Sequence, residues 1–416
     1  MYVQVVHIIS EWVAVNISNY FLGIISANQD NNYEAFNYLK EVQSLKNTHS
    51  NFNVQFVRTL VLLEKFDQAI NFSKKTWKED ARFFEIDLML GLNSFIKEDY
   101  INAEKHFRRL IKITREDFFI STLVSKILLS WTEASKGNEE NSFKIINEIS
   151  EPYNHLTNIQ NSFLMCYFNK DQTKNSFKKL INSEDYNFSR YNFFLSNYLL
   201  NKNNKSEAIK IIEDSRKKYN SNLLIKQTEF FFLNNEEKKI KKLFDCRNSR
   251  DSIAEFFYII ANLYSSEEDY KTSNFFLKIS LMLNNKFLPN KALLAENLYY
   301  QKQYDEAKKI YSSIKNIGSI YSWYGSKSIA AILVIEKGKE KSTKYLKKQF
   351  DFIKDPNFEN YYELANFYKD HEYYEESIKY YSLTLKKLEK NHFLVPKILD
   401  RRGTSYERLG DWEKAE

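Results

Sequence analysis

The chain has 416 residues with 61 Lys and Arg against 54 Asp and Glu, a formal net charge of +7. Eight Gly and four Pro in that length, where averages of about 7% and 5% are usual, exclude a fold of many short strands and tight turns. Hydrophobic residues at 43% and charged residues at 28% exclude disorder and leave an all-α chain with ample core material.

The elements follow in chain order. Residues 13–25 are apolar but interrupted by Asn16, Ser18 and Asn19, and the first basic residue is Lys40. The positive segment of a secretory signal is therefore missing. No window approaches 18 uninterrupted apolar residues, so no membrane span is expected. The default compartment is cytoplasmic, or periplasmic and envelope-associated if a signal stands upstream. Three phrases then set a period: Tyr33-Glu34-Ala35, Phe66-Asp67-Gln68-Ala69 and Tyr100-Ile101-Asn102-Ala103, whose alanines lie 34 apart. The step continues through Ser142, Ser176, Ala208, Ile240, Ser273, Ala307, Ser342, Ser377 and Ala415. Twelve residues before each of these stands Gly23, Val57, Gly91, Ser130, Leu164, Ser196, Thr228, Ala261, Ala295, Ala330, Ala365 or Gly403, a second column of mostly small side chains. The prolines Pro152, Pro289, Pro356 and Pro396 fall between units, where a helix must stop. Gly137, Gly338 and Gly410 fall at mid-unit, where a C-capping residue belongs.

Such a period describes about twelve helical hairpins stacked as a solenoid. Small residues at each crossing let two backbones approach, and each hairpin buries its apolar face on the next. The phrases Leu90-Gly91 with Tyr100 and Ala103, Ala295 with Tyr304 to Ala307, and Gly403 to Tyr406 with Gly410 to Ala415 resemble tetratricopeptide repeats. The segment Tyr20 to Ala35 is similar to the large tetratricopeptide proteins of alphaproteobacteria, and the richness in Asn, Lys, Ile, Tyr and Phe suits an AT-rich bacterial genome. The resemblance implies one right-handed superhelix over 1–416, with clear repeats at 16–118 and 254–416 and degenerate ones at 119–253. The unit at 209–250, with Ile240 in place of a small residue, is the weakest. Because the chain ends one turn into a second helix at Glu416, it reads as a fragment truncated at its C-terminus.

Chemistry is sparse. The six histidines have no metal-ligand spacing, and Gly325-Ser326-Lys327-Ser328 lacks the first glycine of a phosphate loop. Cys166 lies in an apolar run and reads as core; it meets Cys246 only if the fold brings them together. The basic run Lys238, Lys239, Lys241 and Lys242 reads as a solvated helix face, and charge dispersed over the chain argues against nucleic acid. No cofactor or metal is expected. The resemblance implies a concave groove that binds a protein or peptide segment. Its contact positions are the residue after the small site and the one three before it. These are Phe193 with Asn197, Tyr258 with Asn262 and Tyr362 with Asn366, with Arg58, Glu296 and Lys327 in equivalent places. The charge set of a carboxylate clamp is absent. The leading expectation is a non-catalytic scaffold. The alternatives are the recognition part of a glycosyltransferase or sulfotransferase whose catalytic domain follows Glu416, and an RNA-binding repeat.

If the small columns mark helix crossings, Ala103→Leu overpacks one and lowers stability by about 1–3 kcal/mol in urea unfolding. An unchanged midpoint would place Ala103 away from any crossing.

Overall fold

The computed structural model describes residues 2–111, 118–149, 153–183, 189–218 and 221–415, with the side chains of 2–13, 118 and 119 excepted. Pro152 therefore lies outside the described residues. Those described form twenty-four α-helices and no strand. The chain divides into two compact units, Met1–Leu293 and Leu294–Glu416.

Unit 1 opens with α1 (Tyr2–Asn28) and α2 (Asn32–Leu39), followed by a 3-10 segment, Lys40–Asn47. The hairpins α3 (Ser50–Leu62) with α4 (Phe66–Thr76) and α5 (Phe84–Ile96) with α6 (Tyr100–Leu110) come next. Then follow α7 (Phe118–Ser135) with α8 (Glu139–Asn147), and α9 (Asn154–Tyr167) with α10 (Thr173–Ile181). The unit continues through α11 (Tyr191–Asn201) with α12 (Lys205–Lys218), and α13 (Leu223–Leu233) with α14 (Glu237–Leu243). Its last hairpin is α15 (Ser249–Ser266) with α16 (Tyr270–Leu283), and the division from unit 2 falls inside α17 (Leu288–Tyr300). Unit 2 holds α18 (Tyr304–Ile314), α19 (Ser319–Lys337) and α20 (Lys339–Asp351). It ends with α21 (Phe358–Asp370), α22 (Tyr374–Lys387), α23 (Val395–Arg408) and α24 (Trp412–Ala415). Pro289 and Pro396 stand in the first turns of α17 and α23, and Pro356 just ahead of α21.

The two small columns of the sequence meet face to face. Ser130 Oγ donates to the Ser142 carbonyl at 2.8 Å, Ser196 Oγ to Ala208 at 2.9 Å, Ser273 Oγ to Ala261 at 2.7 Å and Ser342 Oγ to Ala330 at 2.6 Å. Each bond joins residues twelve apart, so hydroxyl and opposing backbone touch across the crossing. Where glycine takes the position the approach is closer still. A Cβ on Gly23 would lie 2.6 Å from Leu39 Cδ2, and one on Gly403 would lie 2.8 Å from the Ala415 carbonyl oxygen. Even the degenerate unit keeps the hairpin, with Ile240 fully buried on the short α14.

The turns explain how a chain with eight glycines makes so many reversals. One residue in each turn is left-handed: Asp30, Glu64, Glu98, Gly137, Asn169, Asn203, Asn235, Glu268, Lys302, Gly338, Glu372 and Gly410. The expected glycines are among them, but nine of the positions carry a Cβ. Around Glu64 the Lys65 N–H donates to Leu60 at 2.8 Å and the Glu64 N–H to Val61 at 2.9 Å. That is the paired 6→1 and 5→2 closure that satisfies the last carbonyls of a helix. Asn and Asp then cap the following helix, as Asp99 Oδ1 accepts the Asn102 N–H at 3.2 Å.

Buried polar groups tie the unit-1 hairpins together. The fully buried Asp87 on α5 accepts from Trp77 Nε1 at 3.0 Å and Arg109 Nε at 2.9 Å, and it contacts His106 Nδ1 at 2.9 Å. Arg109 in turn reaches the carbonyls of Lys78, Glu79 and Ala81, fixing the loop ahead of α5. Cys166 on α9 is disulfide-bonded to Cys246 in the loop after α14, across 80 residues of sequence. A closed loop of that size restricts the unfolded chain by about 4–5 kcal/mol in the chain-entropy model. In unit 2 the core runs through Trp323, Ala330, Leu346, Phe350, Leu364, Ala365, Tyr380, Tyr381 and Ile398.

A left-handed backbone penalises any Cβ, so Glu98→Gly is expected to raise stability by about 0.5–1 kcal/mol once the looser unfolded chain is counted. Denaturant midpoints measure it; a loss of stability would show that the Glu98 side chain makes a contact worth more than the strain.

Candidate binding surfaces

In unit 1 the first helices of successive hairpins converge on one occupant, the chain's own α15–α16 hairpin. α15 packs against α7 and α9, and α16 packs against α3. Phe84 on α5 meets Phe276 on α16 edge-on at 6.3 Å, and the Arg58 guanidinium of α3 lies 5.6 Å from the Phe275 ring centroid. Lys278 on α16 pairs with Glu64 at 2.6 Å, and Lys271 Nζ donates to the Ala27 carbonyl at 2.6 Å. Further along, Phe193 and Phe194 of α11 stack with Phe287, and Phe194 also meets Phe244 at 4.6 Å. The inner face of these helices is thus a covered surface.

Its central tie is ionic. Arg190, at the start of α11, forms an ion pair with Glu255 of α15, and Tyr191 Oη lies 3.4 Å from the same carboxylate oxygen. Glu255 is fully buried, and its second oxygen has no hydrogen-bond partner. Burial pushes the Glu255 carboxyl up against the opposing pull of Arg190. The Arg190 guanidinium also sits 4.3 Å from the centroid of Tyr258, a cation–π contact at partly desolvated range. Nearby, burial raises the Asp251 carboxyl to about 6, although it accepts the Asp245 N–H at 2.8 Å.

These contacts locate five of the sequence-derived positions. Phe193 and Asn197 do not reach solvent, at 0% and 1% exposure. Asn197 Nδ2 donates to the Ile240 carbonyl at 3.1 Å, so its amide serves the core. Tyr258 is half-buried under Arg190, and Arg58 is held by Glu85 at 2.6 Å. Asn262 is exposed on α15.

The other four lie in unit 2, one on each of α17 and α19 and two on α21, all partly accessible. Tyr324 Oη donates to Glu296, whose carboxyl burial pushes up. Lys327 pairs with Glu363 at 2.8 Å, and Trp323 Nε1 donates to the same carboxylate at 2.6 Å. Asn366 Oδ1 accepts from Tyr381 Oη at 2.8 Å and from Arg401 Nη1 at 2.9 Å. Tyr362 packs on Tyr381, with centroids 6.1 Å apart. Arg401 was not among the sequence-derived positions. It stands two residues before Gly403, one turn from the positions considered, and makes no ion pair among the described residues. Gly325-Ser326-Lys327-Ser328 lies within α19 and forms no loop. Among the described residues no group of three or more His, Cys, Asp or Glu is placed to hold a metal, and no helix is long and apolar enough to cross a membrane.

No protein-family model and no curated protein matches the chain. Among solved structures it is similar to the APC/C hetero-tetramer Cut9–Hcn1, with 14% identity and a TM-score of 0.32 over 95% of this chain and 78% of that one. Yeast Tom70 aligns at 12% identity with a TM-score of 0.31, over 96% and 90% of the two chains. The tetratricopeptide domain of P58(IPK) aligns at 13% with a TM-score of 0.26, over 95% and 98%. Scores at this level carry no argument about partner or role.

Replacing Arg190 strands a buried carboxylate, so Arg190→Leu is expected to cost about 3–5 kcal/mol, and adding Glu255→Leu to recover most of it. Thermal or urea unfolding of the single and double variants reads both; equal losses in the two would mean that the cost is packing and not charge.

Proposed function

We propose that this all-α protein of tetratricopeptide-like hairpins is a non-catalytic scaffold that takes an extended protein segment on the first-helix face of unit 2. The observation that carries the reading is unspent hydrogen-bonding capacity on half-buried groups. Asn366 uses its carbonyl oxygen internally, while its amide nitrogen has no partner among the described residues. Arg401 forms no ion pair among the described residues, although the Asp370 carboxylate lies near enough to favour its charge. An extended backbone presents acceptors to such an amide, and a side-chain carboxylate suits the guanidinium fork. Tyr362 adds rigid contact area at low entropic cost, and Lys327 with Glu363 and Glu296 with Tyr324 flank the strip. The face covered in unit 1 takes no part in this reading.

The test is capture of partners by the full chain, followed by titration with the captured segment. Tyr362→Ala with Asn366→Ala is expected to weaken binding about tenfold or more with helicity unchanged, and Arg401→Gln to weaken acidic segments most. Unaltered affinity in the double variant would remove this face from the site.

A further inference from the structure

The α15–α16 hairpin leaves part of the unit-1 inner face unfilled. Between α3, the start of α5, the start of α7 and the turn joining α15 to α16 lies a cavity of about 280 Å³. Its walls are of two kinds. Phe84, Phe276 and Tyr264 supply aromatic surface, with Tyr264 stacked on Phe276 at 5.8 Å. Arg58 and Arg82 supply positive charge, and Glu85 and Asp269 supply negative charge.

The two guanidiniums are not used up by the protein. Arg58 spends its Nε on Glu85 Oε1 at 2.6 Å, and the buried carboxylate fixes the group in place. Its two Nη nitrogens make no hydrogen bond among the described residues. Arg82 is exposed and has no ion-pair partner among them. Of the two lining acids, Glu85 is paired with Arg58 and Asp269 caps α16 by accepting the Thr272 N–H at 3.0 Å. A pre-oriented fork with both terminal nitrogens available matches a carboxylate, and a second guanidinium at the mouth adds to its attraction. The aromatic walls favour a planar apolar body. At the lower edge of ligand-pocket volumes of about 300–1,000 Å³, the space admits a single substituted ring and excludes a helix.

We infer that this cavity is a binding site for a small aromatic carboxylate, independent of the surface on unit 2. The experiment is calorimetric titration of the full chain with phenylacetate, with neutral phenylacetamide and with phenyl phosphate. Phenylacetate is expected to bind saturably with Kd of about 0.1–1 mM, and phenylacetamide at least about tenfold more weakly. Arg58→Gln is expected to abolish binding, but it also strands Glu85 and can unfold the region. Arg82→Gln, at an exposed position, therefore decides the matter: it should weaken phenylacetate about tenfold with the thermal midpoint preserved. Equal binding of acid and amide, no saturable heat from phenylacetate, or an unchanged affinity in Arg82→Gln would each overturn the site. Tighter binding of phenyl phosphate than of phenylacetate would overturn the carboxylate assignment.

Discussion

The close approach of two helix backbones within each hairpin is the constraint on which the architecture depends. A serine hydroxyl on one helix reaches a main-chain carbonyl on the other at 2.6–2.9 Å, a separation that no larger side chain permits. The turn must then reverse the chain within three or four residues, and a left-handed residue is the local solution. Crossing and turn are two ends of one geometric requirement, which is why both repeat at nearly the same interval along the chain.

Stacked hairpins offer a face of first helices, and the two units treat it differently. In unit 1 the residues on that face are large and apolar, and the α15–α16 hairpin is their partner. The burial of Phe193, Phe256 and Phe257 alongside the Arg190–Glu255 pair gives the interior a mixed character. Apolar contact supplies the bulk of the attraction, while the ion pair, costly to bury, fixes where α15 sits against α11. In unit 2 the corresponding positions carry Glu296, Lys327 and Asn366, which make polar contacts with neighbouring side chains, and Tyr362, which packs on Tyr381; all stay partly wet. One repeat grammar therefore builds an interior in one unit and an exposed strip in the other.

The hairpins were legible in the sequence because their cause is local: small residues twelve apart and a fixed step between units. The turns were legible only at Gly137, Gly338 and Gly410, since Glu64, Glu98 or Lys302 in a left-handed conformation gives no compositional signal. The candidate surface was half legible. Asn197 and Asn366 occupy the same place in their repeats, yet one bonds to the core carbonyl of Ile240 and the other faces a partly open strip. The difference lies in what stands opposite, and for Asn197 that is α14, as its bond to Ile240 across 43 residues of sequence shows. One trace of it was available. Helix α11 is apolar on nearly every side, as the run Phe193-Phe194-Leu195 suggests, and a helix of that kind is buried all round. The Cys166–Cys246 bond is equally non-local and follows from the same folding-back of residues 244–287.

That folding-back has a consequence for biosynthesis. A ribosome delivers α3, α5, α7, α9 and α11 in order, and the segment that covers them leaves the exit tunnel only afterwards. Throughout that interval the nascent chain carries an apolar trough shaped to receive a helical hairpin, and a neighbouring nascent copy holds the matching element. Slow elongation between residues 201 and 287 would lengthen the exposure, and holdase chaperones that shield apolar surface would shorten its effect.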